Sequence, residues 1–190
     1  MNTQYLYMLM LGARPEGRLV EQHDMFFGIS NSPSGLSDAI KASWPETKGK
    51  VHIDAMRKVS LVDGYTISII PRKSRQGKGP RLFFLNLGGY KRDEFDEFHY
   101  KMLVVAADKG EAVDRAKQTA FYQHTGFKGA TSHIDDKYGV DVDEVYEITD
   151  ILGKEFREQY SIDIRKASGG TPDEMQLGYI TLAKLAKMTT

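Results

Sequence analysis

The feature that most constrains this chain is a repeat. Residues 5–23, YLYMLMLGARPEGRLVEQH, and residues 81–99, RLFFLNLGGYKRDEFDEFH, carry the same features in the same order. In each, an apolar run ends at a glycine, a turn follows, and a Glu-x-His closes the stretch. Gly12 precedes Glu21 by nine residues and His23 by eleven, and Gly88 stands at the same distances from Glu97 and His99. A shift of 76 residues aligns Leu6–Trp44 with Leu82–Ala120 without a gap. Leu6/Leu82, Leu9/Leu85, Leu11/Leu87, Asp38/Asp114 and Lys41/Lys117 are identical, and Tyr7/Phe83, Met8/Phe84, Phe27/Leu103 and Ile29/Val105 stay apolar. Such a chain is expected to fold as two like modules.

Each module reads as strand, loop, strand, helix, strand. Tyr5–Leu11 is a continuous apolar run, the mark of a buried strand, and Gly12 ends it. Met25–Ile29 is the second strand. Ser32 is placed to cap a helix, and Pro33 suits the first helical position, where its missing N–H is no loss. Pro45 stops that helix. Val51–Asp54 leads toward a strand at about 59–70, with Asp63-Gly64 marking a bulge or tight turn. In the second copy Asp108 and Glu111 form a capping-box pattern before a helix over 109–123, with Ala112, Val113, Ala116 and Ala120 on one face. Five extra residues follow, and the register resumes at a shift of 81. That shift sets His52-Ile53-Asp54 against His133-Ile134-Asp135 and Tyr65 against Tyr146.

The expected fold is therefore α+β: a tandem duplication of a strand–strand–helix–strand module with pseudo-two-fold symmetry. Residues 1–71 form the first module and 81–152 the second. A basic linker lies between them at 72–80, and an extension at 153–190 packs on the modules. One helix cannot cover both faces of so small a sheet, which favours packing of the two modules as in a symmetric dimer. In the extension, Tyr160–Ile164 alternates like a strand, and Gln176–Met188 divides between strand and short helix.

Composition removes several classes of chemistry. The chain has no cysteine, so disulfides, thiolate ligands and a cysteine nucleophile are excluded. Its 26 basic and 26 acidic residues balance, which gives no global attraction to nucleic acid. The basic stretch Pro71–Pro80 lacks the aromatic interleaving of a nucleic-acid surface and the spacing of a phosphate loop. The apolar run Tyr5–Leu11 is far too short to span a bilayer, and no signal-peptide pattern begins the sequence. No membrane partner and a cytoplasmic location are expected.

The run LFFLNLGGY at 82–90 with Glu97-x-His99, the VEQHDMFFGI at 20–29 and the HIDA at 52–55 together resemble the bacterial domain-of-unknown-function family 1543. The resemblance covers most of residues 5–150. It implies a domain that occurs in one or two copies, and it carries no assigned activity. The first copy has Met10, Ala13 and Arg14 where the second has Asn86, Gly89 and Tyr90, which makes the second copy the expected seat of the intact motif.

The polar residues held in both copies are the candidate catalytic set: Glu21, His23, His52 and Asp54, then Glu97, His99, His133 and Asp135. Residues two apart on an extended segment point to one side, so each Glu-x-His and His-x-Asp presents a pair. An imidazole beside a carboxylate makes a general base, because the carboxylate fixes the tautomer and supports the protonated form. Asn86, Gly88, Gly89 and Tyr90 are candidate ligand contacts, the glycines by letting backbone N–H groups approach an anion. Two histidines and two carboxylates also suit a divalent zinc, manganese or iron ion if the segments converge. The bland reading keeps every one of these residues structural, as loop caps and turn anchors. A non-catalytic interaction module, or a homo-oligomer, is the alternative. Its sign is the stretch Asp135–Asp150, with seven acidic residues and one lysine.

Overall fold

A computed structural model describes residues 3–72, 79–90, 93, 95–118 and 140–188, with only the backbone at 140–143. The elements run in chain order as follows. β1 is Tyr5–Ala13, β2 Gln22–Ser30, α1 Ser37–Ser43, β3 His52–Val59, β4 Leu61–Val62 and β5 Tyr65–Pro71. Then come β6 Arg81–Tyr90, β7 Glu97–Ala106, α2 Lys109–Ala116 and β8 Val140–Glu147. β9 is Tyr160–Lys166 and β10 Met175–Thr181, and short helices occupy Ile148–Ile151, Lys154–Gln159 and Leu182–Leu185. Strands and helices are both present, as an α+β chain requires. No helix among the described residues is long and apolar enough to cross a membrane.

The chain divides into two compact units. The first holds residues 1–76 and 152–190, the second residues 77–151. The extension thus builds part of the first unit. β10 pairs antiparallel with β3, giving a four-stranded sheet in the order β10-β3-β1-β2, and β9 joins β4 and β5 in a three-stranded sheet. In the tail, Met175–Thr181 is strand and Leu182–Leu185 is helix, so the two sequence readings hold side by side rather than compete.

Local chemistry explains these elements. On β1 the side chains of Tyr7, Leu9, Leu11 and Ala13 are buried, while Met8 and Met10 are half-buried, the alternation of a strand facing a core. Asp63 and Gly64 both take positive φ, 53° and 76°, the pair of values a two-residue hairpin turn between β4 and β5 demands. The first helical segment opens with Pro33 as a tight 3-10 turn before α1. Ser32 precedes it but makes no capping bond; its hydroxyl lies 2.8 Å from that of Ser34 instead.

The second unit is a three-stranded sheet, β7-β6-β8, with α2 on one face. Asp108 caps α2 by accepting from the Glu111 N–H at 3.0 Å, and Glu111 accepts from the Ala107 N–H at 2.8 Å. Ala112 and Ala116, one turn apart, pack fully buried against Phe83, Leu85, Leu87, Val104 and Ala106. Small residues on the helix let it approach the large residues of the sheet. The capping box falls where the sequence expects it. The helix is shorter, ending at Ala116, and residues 119–139 lie outside the described residues.

Both three-strand sets share one register. Leu6 pairs with Ile29 and Leu82 with Val105, the same offset after a 76-residue shift. Each central strand also meets its third strand with one irregularity, between Met10 and Leu11 in the first unit and between Asn86 and Leu87 in the second.

Candidate functional site

One row of the first sheet gathers a set of polar side chains. Gly12 on β1 pairs with His23 on β2 and with His52 on β3. A central glycine leaves no side chain between the two imidazoles. The vacated space is used: a Cβ at position 12 would lie 2.4 Å from both His52 Nε2 and Asp54 Oδ2. Asp54 reaches this place through a bulge. Met10 pairs with Ala55 and Leu11 with Ile53, so Asp54 is the extra residue on β3 and has no partner on β1. Glu21 stands just ahead of β2, two residues before His23.

The four side chains meet. His52 Nε2 lies 3.2 Å from Glu21 Oε1 and 3.2 Å from Asp54 Oδ1. His23 Nε2 lies 3.2 Å from Asp54 Oδ2 and 3.8 Å from Glu21 Oε2. Exposure grades across the set, from 9% at His52 and 22% at Asp54 to 43% at His23 and 47% at Glu21, so the cluster is closed on the His52 side and open on the Glu21 side. Asp54 Oδ2 is buried and accepts no hydrogen bond, although His23 Nε2 is near. That carboxylate oxygen is therefore a left-over acceptor.

The far strand completes the wall. Leu177 of β10 pairs with Ala55 and Ile180 with Ile53, so β10 carries two residues, Gly178 and Tyr179, where β3 has only Asp54. Gly178 takes φ +114°, a value that favours glycine. The distortion brings the Tyr179 ring to 4.2 Å from the His52 ring at a tilt of 31°. Nothing in the sequence links Tyr179 to His52, because the link depends on which edge the last strand joins.

The second unit repeats the row and changes its residues. Gly88 pairs with His99 on β7 and with Asp141 on β8. Asn86 pairs with Glu144 and Leu87 with Val142, which makes Asp143 the extra residue. By register, then, Asp141 and Asp143 stand where His52 and Asp54 stand in the first unit, 89 residues later. The sequence alignment at a shift of 81 set His52-Ile53-Asp54 against His133-Ile134-Asp135 instead. His-Ile-Asp at 133–135 and Asp-Val-Asp at 141–143 both fit the pattern polar–apolar–Asp. His133 and Asp135 lie outside the described residues.

What gathers in the second unit is centred on Asn86. Its Nδ2 donates to Glu144 Oε2 at 2.7 Å and lies 3.1 Å from His99 Nδ1. An amide nitrogen only donates, so His99 Nδ1 is the acceptor and the ring proton sits on Nε2, 3.8 Å from Glu97 Oε2. Asn86 Oδ1 is buried without a hydrogen-bond partner. Lys101 pairs with Asn86 across β7, and burial pushes its ammonium pKa down while the Glu144 charge pulls it back up. Gly89 pairs with Phe98 and Tyr90 with Glu97 at the end of the same ladder. The sequence reading named Asn86 but missed Glu144 and Lys101, because the acidic stretch around Glu144 reads as a solvated face.

Among the described residues, the Glu/His/His/Asp quartet comes together in the first unit. No group of three or more His, Asp or Glu side chains among the described residues is arranged to hold a metal ion.

Residues 18–69 match the model of the family described as Domain of Unknown Function DUF1543. The match supports that resemblance in the first module. It contains all four residues of the quartet, and it is a single match, so it does not extend to a second copy. A crystal structure of protein Il1583 from Idiomarina loihiensis is similar in fold, with a TM-score of 0.63 over 94% of this chain and 98% of that one, at 19% identity. At that identity the likeness speaks for the fold alone. No curated protein matches the chain.

Proposed function

We propose that the first unit carries a site for a small polar molecule, with His23 and His52 as its acid–base groups. The observation that carries this reading is the meeting of Glu21, His23, His52 and Asp54, from separate strands, over a glycine whose missing side chain makes room for them. Each imidazole faces a carboxylate, the pairing that supports a charged imidazolium during proton transfer. The open Glu21–His23 side admits a ligand, and the spare acceptor Asp54 Oδ2 suits a donor group on it. The same reading takes the chain as two copies of one module, supported by the shared registers of β1–β3 and β6–β8.

Equilibrium dialysis against a mixture of small polar metabolites, read by mass spectrometry, tests the site. The wild type is expected to retain at least one compound that His23→Gln and His52→Gln lose while circular dichroism shows both variants folded. Identical retention by all three proteins would return the quartet to a structural role and leave the interaction-module reading standing.

A divalent ion is the second reading. The 3.2 Å contacts are near the ~3.4 Å edge of a tetrahedron with ~2.1 Å bonds. The donors as they stand do not surround one point, so binding would require the side chains to turn inward. Elemental analysis after chelator-free purification decides it: stoichiometric zinc, manganese or iron supports the ion, and its absence after incubation with each metal rejects it.

A further inference from the structure

The first unit has a second place with an unmet chemical demand. β1 is regular, so Tyr7 and Gly12, five residues apart, present opposite faces of the sheet. The quartet occupies the Gly12 face. On the Tyr7 side a cleft of about 410 Å³ opens, lined among others by Tyr7, Met56, Lys58, Glu174 and Met188. That size is within the range of small-molecule pockets.

Tyr7 is only 2% exposed, yet its hydroxyl has no hydrogen-bond partner. A buried hydroxyl without a partner has given up its hydrogen bonds to water and gained none in return. Burial, with Tyr5 adding to it, raises the Tyr7 pKa, so the group stays a neutral phenol with a proton to donate. Lys58 is the cross-strand partner of Tyr7 and puts a cation at the same wall, its Nζ 4.5 Å from the centre of the Tyr5 ring. Asp173 also lines the cleft, but its charge is already engaged. It pairs with Arg57 at 2.9 Å and accepts from the N–H groups of Ser60 and Leu61 and from the Ser60 hydroxyl. The rim it anchors is thereby tied to the end of β3. Met56, Pro33 and Met188 supply apolar wall.

We propose that this cleft binds a small monocarboxylate with an apolar body. The Tyr7 hydroxyl donates to the carboxylate, Lys58 balances its charge, and the methionines take the hydrocarbon. Exposed Glu174 on the rim disfavours a second negative charge. The site is independent of the quartet, because the two lie on opposite faces of the sheet.

The test is titration of the full chain with hexanoate and with benzoate, followed by amide chemical shifts, with benzylamine and benzyl alcohol as comparators. Saturable shifts at Tyr7, Lys58 and Gln176 are expected for the carboxylates and not for the amine or alcohol. Tyr7→Phe, which keeps the ring and removes only the hydroxyl, is expected to weaken binding roughly tenfold, the equivalent of one hydrogen bond. Lys58→Met is expected to do the same, and His52→Gln to change nothing. The proposal is overturned if neither carboxylate saturates, if the amine or alcohol binds as well, or if Tyr7→Phe and Lys58→Met bind both carboxylates like the wild type.

Discussion

The sheets of the two units share a backbone plan and differ in two adjacent rows. Across Gly12 the first unit places His23 and His52; across Gly88 the second places His99 and Asp141. The next row on the same face is Met25–Met10–Ala55 in the first unit and Lys101–Asn86–Glu144 in the second. The supporting row decides what the histidine does. Where it is apolar, His23 and His52 have no polar neighbour below and turn to the carboxylates beside them. Where it is polar, Asn86 claims His99 Nδ1 and Glu144 together, and the row becomes a network of its own.

That contrast can be broken at its centre. Gly12→Ala puts a methyl where His52 and Asp54 now meet, and overpacking of this kind costs roughly 1–3 kcal/mol. Urea unfolding of the variant measures it; a loss below about 0.5 kcal/mol would mean the quartet yields freely and its geometry is not held. Exchanging the histidines comes next. His52→Ala removes a side chain that is 9% exposed and stacked on Tyr179, with an expected cost of about 2 kcal/mol, whereas half-exposed His99→Ala should stay within about 0.5 kcal/mol. Equal costs would erase the distinction between the two rows.

Asn86→Met gives the second unit the residue of the first. It frees Glu144 and His99 at a cost of about 1 kcal/mol, and imidazole nitrogen shifts should then show His99 no longer held as the Nε2–H tautomer. An unchanged tautomer would show that Glu97, not Asn86, sets it.

The smallest effects are in pH, with opposite signs in the two units. Tyr7 has its folded pKa raised above 10.0, so its contribution to stability is whole below that pH and is lost as pH rises through the folded value. Lys101 has its folded pKa lowered below 10.5, so the unfolded chain binds more protons between the two values and stability rises with pH there. Stability against pH for Tyr7→Phe and Lys101→Met should lose the fall and the rise respectively. A Lys101→Met curve parallel to the wild type would show that Glu144 cancels the burial of the ammonium.

Much of this architecture is written in local pattern. The Asp63-Gly64 turn and the Asp108/Glu111 cap each follow from a few neighbouring residues, and the structure realises both, whereas Gly12, read as the end of its strand, and Gly88-Gly89, read as a turn, lie inside β1 and β6. Register across an insertion is different. Two stretches of like pattern, 133–135 and 141–143, follow the helix, and the pairing of Asp141 with Gly88 comes from sheet geometry rather than from identity. The participation of Tyr179 and of Tyr7 was equally hidden, because both depend on contacts between segments far apart in sequence. Exposure of one and burial of the other leave no mark on the residues around them.

The path of β10 has a consequence for how the protein is made. Gly178 and Tyr179 are carried on a strand synthesised more than a hundred residues after His52, yet they form the wall behind that imidazole. During translation β1, β2 and β3 can associate early, with the quartet drawn together but its back uncovered. The ring is seated only when residues 175–181 have emerged, so a nascent or prematurely terminated chain would hold His52 without the aromatic ring that packs against it.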